Sequence, residues 1–169
     1  FEEVNLRFYV RYKENGIWKR GVVYIKEIVP KHALTFVANK IYKENYETMP
    51  MSHIWTVEKD KLKVEYKWKK DKWNSFLIET ENKLTKIEEG SEEEFITEHY
   101  WGYTRINEYK TSEYGVEHPK WDVYKTNKYS IDVDFGNIYG DEFKFLASGN
   151  PVSVFLAEGS EIRVMSGNV

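Results

Sequence analysis

The chain has 169 residues, 31% of them charged and 41% hydrophobic, with a net charge of −3, the balance of one soluble globular domain. Aromatic residues reach 17%, too many for a disordered chain. The absence of cysteine excludes disulfides, thiolate metal sites and a cysteine nucleophile. Charges of both signs are interspersed, and no apolar run nears the roughly 20 residues of a membrane span. The expected location is therefore the cytoplasm, with neither nucleic acid nor membrane as partner.

A strand pattern begins almost at Phe1, without a Met, so residues 1–169 are expected to form a single domain at the C-terminal end of a longer chain. Val4, Leu6, Phe8 and Val10 alternate with Asn5, Arg7 and Tyr9, the period of a half-buried strand. Glu14-Asn15-Gly16 predicts a tight hairpin turn. The return run holds Gly21-Val22-Val23-Tyr24-Ile25, consecutive apolar positions expected to be covered on both faces.

Pro30 is read as a first-turn residue of a helix, with Leu34, Val37, Ala38 and Ile41 as its packing face. The stretch from Asn45-Tyr46 through Met49-Pro50-Met51 to His53 reads as a loop, either a pocket mouth or a hydrophobic plug. Leu62, Val64, Tyr66 and Trp68 then alternate with lysines. The turn Lys70-Asp71-Lys72 leads to a partner strand over 73–80, with Trp68 and Trp73 assigned to the core face. Ser91-Glu92-Glu93-Glu94 has the form of a capping box, with Phe95 and Ile96 docking the short helix behind it. Further strands are expected near 100–109, 113–117, 121–133, 152–158 and 162–165. The sum is α+β, predominantly antiparallel β: a curved sheet or partly closed barrel with two short helices.

No dinucleotide fingerprint, phosphate loop, nucleophile elbow or His-Glu-x-x-His is present. The four histidines, His32, His53, His99 and His118, lack metal-ligand spacing, so neither a metal nor another cofactor is implied. Three clusters carry chemistry. Asn5, Arg7 and Tyr9 share one strand face, which is either solvent-exposed or the polar wall of a cavity, with Arg7 poised for a carboxylate. Tyr46 and His53 flank the methionine-rich loop. His118-Pro119-Lys120-Trp121 joins a titratable ring, a rigid turn, an amine and the largest aromatic side chain. It reads either as a structural turn or as an acid/base site.

These segments resemble the bacterial YqjF-like proteins in order and spacing. The likeness is carried by Asn5-x-Arg7-x-Tyr9-Val10, Gly21-Val22-Val23-Tyr24 through Pro30, Asn45-Tyr46 and Met49-Pro50-Met51. Glu94-Phe95-Ile96-Thr97-Glu98-His99-Tyr100, His118-Pro119-x-Trp121 and Leu156-Ala157-Glu158-Gly159 complete it. The likeness spans essentially the whole chain, with one departure: Lys120 stands where the family usually has a second Pro.

The resemblance implies an acetoacetate decarboxylase-like fold, a β-rich barrel around a cavity, but no established activity. Those enzymes use one of two adjacent lysines, held neutral by its cationic neighbour, to form a Schiff base. The corresponding stretch here is Tyr42-Lys43-Glu44-Asn45, where an acid adjoins the only amine, so that chemistry is not expected. The expected function is binding of an anionic or carbonyl-bearing small molecule in an internal cavity lined by Asn5, Arg7, Tyr9, Tyr46, His53, His118 and Trp121. Two alternatives stand beside it. One is a lyase-like or other small-molecule enzyme using Lys120, Lys43 or His118. The other is an interaction module pairing through a free strand edge, with homo-oligomerisation left open.

Overall fold

A computed structural model describes residues 1–168. The fold is mostly antiparallel β, with a sheet curled into a half-barrel and a few short helices. Strands β1 (Val4–Glu14) and β2 (Ile17–Val29) form the long hairpin expected from the alternation. Asn15 and Gly16 turn it at φ 49° and 84°, values that the Asn-Gly pair adopts at little cost.

Past β2, the pattern and the structure part. Pro30 precedes the first helix, α1 (His32–Val37), which runs into a wider π turn over Ala38–Tyr42. No side chain of either segment is buried, and Phe36, Val37, Ile41 and Tyr42 are exposed. Hydrogen bonds overrule the apolar stripe here. The Thr35 and Thr48 hydroxyls meet at 2.7 Å. Asn39 donates to the Tyr46 carbonyl at 2.9 Å and accepts from the Tyr46 N–H at 2.8 Å. These bonds roll Leu34, Thr35, Ala38 and Asn39 inward and Val37 and Ile41 outward.

The stretch read as a loop is instead β3 (Tyr46–Thr48) and β4 (Met51–Glu58), with Met49 buried between them. Strands β5 (Lys61–Lys69) and β6 (Trp73–Thr85) follow. Leu62, Val64 and Trp68 are buried as expected, but Trp73 is exposed. The register pairs Trp68 with Asn74, so Asn74 takes the inward position and Trp73 faces out.

Helix α2 (Glu92–Thr97) starts at Ser91, whose Oγ accepts the Glu94 N–H at 3.2 Å. After it come β7 (Trp101–Arg105), β8 (Thr111–Glu117) and β9 (Val123–Asp132). A helix α3 (Phe135–Tyr139) and a 3-10 turn over Asp141–Ala147 follow β9, beyond the two short helices that the sequence pattern predicts. Strand β10 is only Leu156–Ala157, and β11 (Arg163–Asn168) closes the chain.

The strands form two sheets. The larger has the order β1-β2-β7-β8-β11, with β3 alongside β2, and the smaller the order β10-β9-β6-β5-β4. The contacts of β2 with β3 and β7 are parallel. Between the sheets lies a core of Val4, Ile28, Met49, Trp68, Ile138 and Tyr139. Lys26 ties α3 to it, donating to the Ile138 carbonyl at 2.6 Å while pairing with Glu47 at 2.7 Å. Because strand side chains alternate, packing Val4, Leu6 and Ile28 inward turns Asn5, Arg7, Tyr9 and Glu27 to the opposite face, the one α2 covers.

Candidate functional site

Register places the polar residues of this face in rungs. Asn5 of β1 lies opposite Glu27 of β2, which lies opposite Tyr46 of β3. A bulge between Leu6 and Arg7 skips one β2 residue, so Arg7 faces Tyr24. The third rung is Tyr9, Val22, Gly102 and Tyr114. Gly102 is required there, since a Cβ would collide with the Tyr114 ring. Successive rungs on one face are about 7 Å apart.

Arg7 is half-buried and reaches the Tyr9 hydroxyl and the Ile96 carbonyl of α2, each at 3.4 Å. Among the described residues no carboxylate comes within salt-bridge distance of it. Tyr9 packs against α2 through Phe95, edge-on at 5.0 Å, and His99 at 4.5 Å. His99 is buried with an unpartnered Nδ1. Burial, then the charges of Arg7 and Arg20, hold it below the usual histidine range.

Glu27 is 4% exposed, and its Oε2 has no hydrogen-bond partner. Burial pushes its carboxyl up to about 8, against the pull of the Tyr46 hydroxyl and aided by the nearby acids Glu44 and Glu3. It is therefore a neutral acid at neutral pH, with a proton to donate. Burial also raises Glu44, which accepts from the Thr104 hydroxyl, and Glu3. Tyr46 and Tyr114 are pushed well above the usual phenol range, by burial first and by these acids second. The face thus carries the half-buried Arg7 cation without a carboxylate partner, beside buried acids and phenols, Glu27, Glu44, Tyr46 and Tyr114, whose protonated forms burial favours.

Of the residues expected to line a site, Asn5, Arg7, Tyr9 and Tyr46 share this face. Asn5 is exposed, 3.5 Å from Glu3, at its open end. His53 does not join them. It lies exposed on β4, pairs with Glu2 at 2.8 Å and stacks on Tyr66, on the strand face that carries Met51 toward the core.

His118 and Trp121 form a separate cluster. Their rings stack at 4.1 Å and 17°, with Tyr100 5.1 Å from His118, and Trp121 Nε1 donates to Ser160 Oγ at 2.9 Å. Beside them is a cavity of about 190 Å³ lined by Glu94, Glu98, Lys120, Trp121 and Asp122, with Lys86 and Ile87. Residues of α2 and its C-terminal turn serve both places: Phe95, Ile96 and His99 face Arg7 and Tyr9, while Glu94 and Glu98 face Trp121. Another cavity, of about 320 Å³, lies on the smaller sheet around Trp73 and Asn74.

The model of the family DUF2071, described as an uncharacterized conserved protein, matches residues 1–161. The chain belongs to the DUF2071 family. The YqjF-like resemblance agrees with that membership. No curated protein matches the chain.

In this DUF2071 chain the residue that sequence reasoning missed is Glu27. Its signal was an acid set in the apolar run Ile25-Lys26-Glu27-Ile28-Val29, opposite the polar position Asn5. Tyr24, Glu44, His99 and Tyr114 were missed with it, because strand pairing and α2 bring them together from distant parts of the chain.

Proposed function

We propose that the α2-covered face of the larger sheet binds a small molecule bearing a carboxylate or carbonyl group. One observation carries the reading. Arg7 is half-buried without a counter-ion, one rung from the buried, protonated Glu27 carboxyl with its unpartnered Oε2. A charge withdrawn from water and a buried polar atom left unpaired both cost free energy unless something satisfies them. A ligand carboxylate satisfies Arg7 with two parallel N–H bonds, replacing its two long contacts. A carbonyl oxygen further along accepts from Glu27. Tyr9, Tyr24, Phe95 and His99 supply aromatic surface for an apolar body.

A catalytic version of this site rests on the same Glu27 carboxyl, whose value of about 8 suits proton donation to a carbonyl oxygen near neutral pH. An amine nucleophile fits less well. Lys43 is exposed next to Glu44, and the exposed Lys120 lies 3.8 Å from Glu94 and 4.0 Å from Glu98. Neither has the dry, cation-flanked surroundings that a Schiff-base lysine needs.

Calorimetric titration with a panel of small carboxylates, ketones and keto acids tests the binding. Arg7→Met should weaken the anionic ligands by at least about tenfold, as expected for a lost charged hydrogen-bond pair. It should spare the neutral ketones, which Glu27→Leu should weaken instead by removing the donor. A panel that binds both variants as it binds wild type would refute the site, and product formation by wild type alone would mark it as catalytic.

A further inference from the structure

The β1–β2 hairpin continues as a two-stranded ribbon beyond its backbone pairing with the rest of the sheet. It is tied to β7 and β8 at Lys19, which pairs with Glu113 at 2.8 Å and lies 4.1 Å over the Trp101 ring. The contact of β2 with β7 is at Val22 and Gly102, while β1 and β2 stay paired out to Glu14 and Ile17. From Arg11 to the turn, this two-stranded ribbon extends about 14 Å at ~3.4 Å per residue. Its tip is apolar and open to solvent: Tyr12 is 55% exposed, Ile17 71% and Trp18 53%.

The ribbon is also basic. Residues 11–20 hold Arg11, Lys13, Lys19 and Arg20 against Glu14 alone, a local charge of +3 in a chain of net −3, which leaves −6 on the remainder. Lys19 is committed to Glu14 and Glu113, each at 2.8 Å. Arg11 and Lys13 flank the Trp18 ring at 4.7 and 5.6 Å. Among the described residues, no carboxylate lies within salt-bridge distance of Arg11, Lys13 or Arg20.

We infer that this hairpin tip docks the protein on an anionic lipid surface, with Ile17 and Trp18 entering the headgroup region and Arg11, Lys13 and Arg20 meeting lipid phosphates. Tryptophan and tyrosine favour that interface, and unpaired cations beside it are drawn to anionic leaflets. The geometry answers the repulsion that the acidic body would feel. Charges are screened over about 8 Å at physiological salt, so the cations nearest the turn meet the surface ahead of the acids on the body. Glu113, the body acid that reaches the ribbon, is neutralised by Lys19 at 2.8 Å. Docking of this kind is peripheral and needs no spanning helix, and no helix of the described residues is long and apolar enough to cross a membrane.

Co-sedimentation with phosphatidylcholine vesicles, alone and mixed with phosphatidylglycerol, tests the inference. Binding is expected only with the anionic lipid and should be lost in high salt. Arg11→Gln with Lys13→Gln should lower the partition coefficient about 25-fold, at roughly fivefold per cation. Ile17→Ser with Trp18→Ser should lower it as well, with circular dichroism and melting temperature unchanged, since all four side chains project from the ribbon. Equal binding to neutral vesicles, no binding to either, or variants that match wild type would overturn the inference. So would tighter binding to a single-stranded oligonucleotide than to vesicles, or a dimer that the tip variants dissociate.

Discussion

Replacing Glu27 by Gln keeps the shape of the side chain and removes its titration. In the folded protein the carboxyl holds its proton up to about pH 8, whereas the unfolded chain releases it near 4.5. The folded state therefore binds the extra proton between those values, and stability falls as pH rises through that window. At about 1.4 kcal/mol per pH unit, the full displacement is on the order of 5 kcal/mol once the pH exceeds both values. The group is 4% exposed, so solvent screening takes little from that figure. The variant lacks this loss, and its advantage over wild type should widen by about 3 kcal/mol between about pH 6 and about pH 9. Urea unfolding of both proteins across that range measures the difference directly. A gap that stays constant with pH would refute the picture of a buried neutral acid, whatever its absolute size.

Other perturbations probe the scaffold around the site. Trp68 is fully buried at the centre of the inter-sheet core, and Trp68→Ala should cost about 3–5 kcal/mol in denaturant unfolding. Gly102→Ala sets a methyl against the Tyr114 ring. It should cost about 1–3 kcal/mol as an overpacked contact, and changed near-ultraviolet circular dichroism should report the displaced tyrosine. Ser91→Ala removes the hydroxyl that caps α2 and should cost about 1 kcal/mol. Faster amide exchange over 92–97 would follow, loosening the helix that covers Arg7.

The parts of the fold legible in the sequence are those where one strand face is apolar and the other polar. Such alternation revealed β1 and β5, the Asn15-Gly16 turn, and the shared face of Asn5, Arg7 and Tyr9. The Ser91 cap marked α2 because its side chain acts within one turn. Features decided by distant partners were hidden. The π turn at Ala38–Tyr42 answers to Asn39 and Thr35 bonding to β3, against the apolar stripe. His53 and Trp73 went astray because the register of their strands set which way they face. The acid set between Lys26 and Ile28 marked Glu27 locally, but its character came only when Asn5 and Tyr46 were aligned on either side of it.

The most direct test of the binding face follows the arginine side-chain N–H resonances of the ¹⁵N-labelled protein during titration with the carboxylate and keto-acid panel. The chain has five arginines, Arg7, Arg11, Arg20, Arg105 and Arg163, and Arg7→Met assigns the resonance by its loss. The account predicts that the Arg7 Nε signal shifts and saturates with at least one ligand, accompanied by amides of Tyr9, Glu27 and α2. An unmoved Arg7, with the shifts gathered instead at His118 and Trp121 or nowhere, would contradict it.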